Sequence, residues 1–219
     1  DINARQKQAA ADARRVQLEQ EAARKEQAAR ATSELEIMVS RGEASYKEVN
    51  EAYGKNLLTP QKYADLTLKI DDRNKKQAEK LVSWERVGQA LSGQGGVIDP
   101  GNAEDRKAVS SFYQERLQPQ FAAMPPDLRV ANQAEYVRLT GIMPENMQGQ
   151  LRATLRTGSP EQIIESANLI NQVQNVRPEA LSSLSSDDLA IGVGVSELMN
   201  IGVPPQEAVK RIKERFEDR

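Results

Sequence analysis

Histidine and cysteine are both missing from the 219 residues of this chain. Their absence removes the commonest general base, the thiol nucleophile, every disulfide and every ordinary zinc site. Aromatic residues are scarce: one tryptophan, five tyrosines and three phenylalanines. No stretch approaches the roughly 20 apolar residues that span a bilayer. Charge of one sign is lacking too, because 30 basic residues face 32 acidic ones. Net charge therefore offers no argument for nucleic acid or for an anionic membrane. Hydrophobic content is 38% and charged content 28%, which is lean for a globule and typical of extended helical chains. Asp1 is not an initiator methionine and residues 211–219 stop inside a charged helical pattern, so the chain is expected to be a segment of a longer polypeptide.

What is present is punctuation at helical lengths. Residues 4–40 contain neither proline nor glycine and are dominated by Ala, Gln, Arg and Glu, all strong helix formers. A helix this long reaches roughly 50 Å. Val16 and Leu18 are its only large apolar residues before Leu35, and the seven-residue series Ala9, Val16, Ala23 is broken by Arg30, so no leucine zipper exists. Leu35, Ile37, Met38 and Val39 then form a denser apolar cluster. With Val16 and Leu18 these four are the candidate interaction patch for docking another helix; an intramolecular core is the alternative.

Arg41-Gly42 is a helix stop, and Ser45-Tyr46-Lys47-Glu48 is a capping box. The helix it opens ends near Gly54. Thr59-Pro60 starts a helix of about 30 residues, striped by Tyr63, Leu66, Ile70, Leu81, Trp84, Val87 and Leu91 and interrupted by a polar interval over residues 71–76 that is expected to face solvent. Ser92-Gly93-Gln94-Gly95-Gly96 and Asp99-Pro100-Gly101 read as a flexible linker and turn. No Gly-Lys-Ser/Thr follows, so no phosphate loop is formed. Beyond it, Asn102, Pro125-Pro126, Pro144, Ser159-Pro160, Ser186 and Pro204-Pro205 each open a short helix, with Pro119, Gly141 and Gly158 as stops.

Period-two alternation is missing throughout. The expected fold class is all-α, with long N-terminal helices followed by a bundle or solenoid-like array of short ones. Four regions are expected: a long helix (1–41), a helical hairpin with a long second helix (42–92), a Gly/Pro linker (93–101) and an array of short helices (102–219).

Candidate chemistry is thin. Glu165-Ser166 has the look of a lytic transglycosylase acid and its neighbour, but the Gly-Leu-Met-Gln-like stretch and the Asn-Tyr of that family do not follow. Glu165 is read as a surface helix residue. Asp71-Asp72 and Asp187-Asp188 lack the alternating ligands and glycine of a calcium loop. No Ser-x-x-Lys supplies a lysine base. The chain is read as non-enzymatic, with no catalytic, cofactor or metal site expected.

One stretch carries a family signal. Val97-Ile98-Asp99-Pro100-Gly101-Asn102-Ala103-Glu104-Asp105-Arg106-Lys107-Ala108-Val109, then Gly141-Ile142-Met143-Pro144, Gly149-Gln150-Leu151-Arg152 and Leu155-Arg156-Thr157-Gly158-Ser159-Pro160, resembles the large internal (core or ejection) virion proteins of podophage-like tailed bacteriophages. The resemblance covers roughly residues 97–173. It implies a structural protein held in the capsid interior or near the portal and delivered to the host envelope on infection. Implied partners are further copies of itself and other portal, core or ejection proteins, with DNA or host-envelope contact open. An accessory domain of a peptidoglycan-degrading virion enzyme and a non-phage helical scaffold or adaptor are the alternatives.

Overall fold

The computed structural model describes the backbone of residues 2–217, and the side chains of residue 8 and residues 11–216. All regular structure among them is helical, so the all-α class holds. The chain divides into two compact units between Glu79 and Lys80, inside a helix and not at the glycine-rich segment.

The first unit holds α1 (Ile2–Arg41), α2 (Tyr46–Gly54) and the first turns of α3 (Pro60–Leu91). Gly42, at φ 78°, stops α1 in the left-handed conformation that a Cβ disfavours. The Ser45 capping box then opens α2: the Ser45 hydroxyl accepts from Lys47 N, and Glu48 accepts from Ser45 N at 2.8 Å. These bonds, from the Ser45 hydroxyl first and the Ser45 backbone next, pull the Glu48 carboxyl down to about 2. Leu35, Val39, Val49, Leu58, Leu66 and Ile70 form the core, with Met38 and Tyr63 packed against it. The polar interval of α3 is more than a solvated face. Arg73 donates to the carbonyls of Val39 at 3.4 Å and Ala44 at 3.1 Å, capping the end of α1 and the following loop, and the Tyr46 hydroxyl donates to Asp71.

The second unit begins with the last turns of α3. Trp84 is buried, donates to Ser111 Oγ at 2.9 Å and meets Phe112 edge-on. Leu81, on the same expected stripe, is 48% exposed instead. After α3 the chain doubles back so tightly that a Cβ on Gly96 would lie 2.3 Å from the Arg86 carbonyl oxygen. Asp105 anchors this return: it accepts from Arg86 at 2.8 Å and from Asp99 N at 3.0 Å, while Arg106 donates to the Pro100 and Gly101 carbonyls. The end of the expected flexible linker is therefore pinned to the helices on either side of it.

Asn102 caps α4 (Ala103–Phe112) through Glu104 N and Asp105 N. Pro119 does not end this helix. A π-helical turn (Tyr113–Leu117) leads into α5 (Gln118–Ala122), and Gln118 N reaches back to the Tyr113 carbonyl. The widened turn accommodates a ring that would otherwise strike the preceding carbonyl, and proline's missing N–H costs least where the regular ladder is already interrupted.

Then come α6 (Pro126–Thr140), α7 (Glu145–Thr157), α8 (Pro160–Val176), α9 (Ser186–Asn200) and α10 (Pro205–Glu217), with a 3-10 segment (Pro178–Ser183) between α8 and α9 that the sequence reading did not anticipate. Helix α8 is the hub, packing on α6, α7, α9 and α10. Its Ile163, Ala167, Leu169, Ile170 and Val173 are all buried. Gly192 of α9 faces Ile170 and Gly194 faces Ile212 of α10, so α9 approaches both neighbours through its glycines. Pro144 has no side chain with which to cap α7; Ser110 of α4 accepts from Glu145 N at 3.1 Å instead.

Candidate functional site

The six candidate interaction residues do not share one surface. Leu35 and Val39 lie in the core of the first unit at 7% and 3% exposure, and Met38 packs against that core. Their intramolecular role replaces the docking role considered from sequence. The cause is helical periodicity: residues 28, 31, 32, 35, 36, 38 and 39 line one side of α1 and carry its reduced exposure. Ile37 falls off that side and is exposed, as are Val16 and Leu18.

Every described side chain from residue 11 to residue 27 is exposed. Ion pairs inside the helix, Arg15–Glu19 at 3.3 Å and Glu26–Arg30 at 2.5 Å, join its described side chains, and exposed pairs of this kind contribute only tenths of a kcal/mol. Ala11, Ala22 and Ala29 are exposed along α1. The side chains of Ala9, the first member of the seven-residue series, and Ala10 lie outside the described residues.

The second feature is a polar, solvent-open concavity of about 300 Å³ lined by α6, α7 and α8. Met147, Leu151 and Leu169 give it an apolar floor, and Gln133, Gln150, Thr154, Gln162, Glu165 and Ser166 supply its polar wall. Glu165 is half-buried instead of lying on an open helix surface. Arg129 grips both of its oxygens, Nε–Oε1 at 2.5 Å and Nη2–Oε2 at 2.8 Å. This bidentate pair raises the Arg129 guanidinium above its ordinary value, chiefly through the hydrogen bond to Glu165. Both carboxylate oxygens thus accept a hydrogen bond from the same guanidinium. Deeper in, the Gln133 carboxamide donates to the Tyr113 hydroxyl at 2.8 Å. Burial pushes the Tyr113 and Tyr136 phenols up, so both are neutral at physiological pH. Arg129 and Gln133 went unnoticed from sequence, because nothing local marks a contact made 36 or 20 residues away.

The aspartate pairs have structural duties. Asp188 is fully buried and accepts from the Ser185 hydroxyl at 2.6 Å and from Arg156 at 3.0 Å. Burial alone would push its carboxyl up, but the Ser185 and Arg156 bonds hold it below the ordinary range. Among the described residues no group of three or more acidic side chains is placed to hold a metal ion, and no helix is long and apolar enough to cross a membrane.

Comparison with known proteins finds no matching family, no matching characterised protein and no matching solved structure.

Proposed function

We propose that this chain is a structural segment of a phage internal virion (ejection) protein, assembling with copies of itself and with other virion proteins during genome delivery. The observation that carries the assembly reading is α1. From residue 11 to residue 27 it is a helix without a tertiary neighbour among the described residues, bearing Val16 at 50% and Leu18 at 59% exposure. Fixing each residue costs roughly 1–2 kcal/mol of backbone entropy, helical hydrogen bonding only about offsets this in water, and no apolar burial is added within the chain. A partner that covers this helix supplies what is missing. The virion assignment rests on the motif resemblance of residues 97–173 and on helix surfaces, not a reactive group, being the prominent features of the chain. On this reading it is not an enzyme.

The test is hydrogen exchange on the purified chain as a function of concentration. Amides of residues 11–27 should exchange almost unprotected in dilute monomer and gain protection as oligomers form, while α8 stays protected throughout. Strong protection of residues 11–27 in a verified monomer refutes the assembly argument. Antibody detection of the protein in purified virions, against its absence from them, separately tests the virion assignment.

A further inference from the structure

Charge is unevenly distributed around the axis of α1. Successive helical residues advance by about 100°, so Ala13, Val16, Gln20, Ala23 and Gln27 fall on one strip at alternating spacings of three and four. All five are exposed and none is charged. Arg30 ends the strip, close to where α1 begins to pack within its own unit. One edge of the strip carries Asp12, Glu19 and Glu26, and the other carries Gln17 and Arg24. Arg24 makes no ion pair among the described residues. Leu18 lies about 200° from Val16 and so on the far side of the helix.

We propose that a second copy of this chain covers the strip, its α1 lying parallel to the first and in register. This deepens the assembly reading of α1 and rests on it. In a parallel, in-register pair each strip residue meets its own counterpart. Val16 meets Val16, apolar on apolar, and Ala13 and Ala23 let the two backbones approach. Gln20 and Gln27 meet their counterparts, and a carboxamide, which both donates and accepts, pairs with a copy of itself. The edges agree with the strip. Parallel packing sets the acidic edge of one helix against the opposite edge of the other. Glu19 then reaches Arg24 of the second copy, five residues further on, which is where flanking charges pair across two parallel helices. Two-fold symmetry makes this contact twice. The antiparallel alternative fails on both counts. It sets Asp12, Glu19 and Glu26 against the same three acids, and it sets Val16 against Gln20, leaving the carboxamide without its partner. With one large apolar residue per helix the strip is no zipper, and the contact forms where assembly raises the local concentration.

The test exploits the absence of cysteine, which makes any introduced thiol unique in the full chain. Val16→Cys, Leu18→Cys and Gln20→Cys are each oxidised at concentrations where sedimentation velocity finds the parent self-associated, and are resolved on non-reducing gels. Val16→Cys and Gln20→Cys should each link to their own copies, and Leu18→Cys should not, because disulfides form only between closely apposed Cα atoms. Linking of Val16→Cys to Gln20→Cys in place of self-linking shows antiparallel helices and overturns the proposal. Self-association without linking at either strip position also overturns it and leaves the assembly reading standing, whereas a chain that stays monomeric overturns both. Charge reversal is the second measurement. Arg24→Glu should weaken self-association by roughly fivefold, as two exposed pairs become repulsive, and adding Glu19→Arg should restore it. Failure of the second substitution to restore association rules out the Glu19–Arg24 contact and with it the parallel register.

Discussion

Two glycines separated by eight positions should respond oppositely to alanine, and the difference can be worked from the backbone. Gly88 lies inside α3, and a Cβ built there meets nothing within 4 Å. Replacing helix-interior glycine by alanine removes unfolded-state freedom and should stabilise by about 0.5–1 kcal/mol. Gly96 lies where the chain folds back on the same helix. Its Cβ would sit 2.3 Å from the Arg86 carbonyl oxygen and 2.7 Å from the Ala90 nitrogen. Both are backbone atoms of α3, so no rotamer change relieves the clash and the return segment itself must move. That movement strains the Asp99 N–H bond to Asp105 at 3.0 Å and the packing of Ile98 against the core. Overpacking of this kind costs about 1–3 kcal/mol, set against roughly 0.4–1 kcal/mol gained from the stiffer unfolded chain. Gly96→Ala should therefore lose about 1–2 kcal/mol net, a fall of several degrees for a unit of this size at about 2–4 °C per kcal/mol. Denaturant and thermal unfolding followed by Trp84 fluorescence reads the second unit directly. A Gly96→Ala midpoint equal to or above the parent's, with Gly88→Ala behaving as expected, would refute the close approach and with it the anchored return.

Further expectations concern other parts of the chain. Replacing Val16 and Leu18 together with serine should leave monomer stability within about 0.5 kcal/mol, as for other surface sites, while reducing self-association in sedimentation velocity; a large drop in the melting midpoint would place these residues in an intramolecular core. Tyr113 and Tyr136 have folded-state pKa values raised by burial, so their contribution is fully present below the ordinary value near 10 and is lost as pH climbs above it. Unfolding of the second unit should accordingly set in with tyrosinate absorbance at 295 nm in alkaline titration, and ionisation of both phenols in a still-folded protein would contradict their burial. Glu165→Gln should destabilise by about 1–3 kcal/mol through loss of the charged bidentate bond, and peptidoglycan zymograms of parent and variant should be equally blank; clearing by the parent that the variant lacks would make Glu165 catalytic.

What was legible in the sequence is what is settled within a few residues. The Ser45 capping box and the helix starts at Asn102 and Ser159 are as read, and Gly141 closes α6 at φ 70°, because each motif acts on helix-end groups at most a few residues away. Contacts across the fold left no such trace. Arg73 reads as one more charge in a polar interval, yet it reaches carbonyls 34 and 29 residues back. Glu165 reads as a solvated helix residue until Arg129 is brought to it across 36 positions. Pro119 obeys the rule for a helix stop, and the π-helical turn before it carries the chain past the rule. The glycine-rich segment carries a related ambiguity. Glycine marks both a flexible joint and a place where two backbones nearly touch, and only the Arg86 carbonyl beside Gly96 decides between them. The same ambiguity governs α1. Alanine, glutamine, arginine and glutamate promise a helix by propensity, but propensity is silent on what the helix is held against. Burial answers that from residue 28 onward, where Leu35 and Val39 find Leu66 and Ile70. For residues 11–27 no intramolecular answer appears among the described residues, so the order of this helix becomes a question about other molecules.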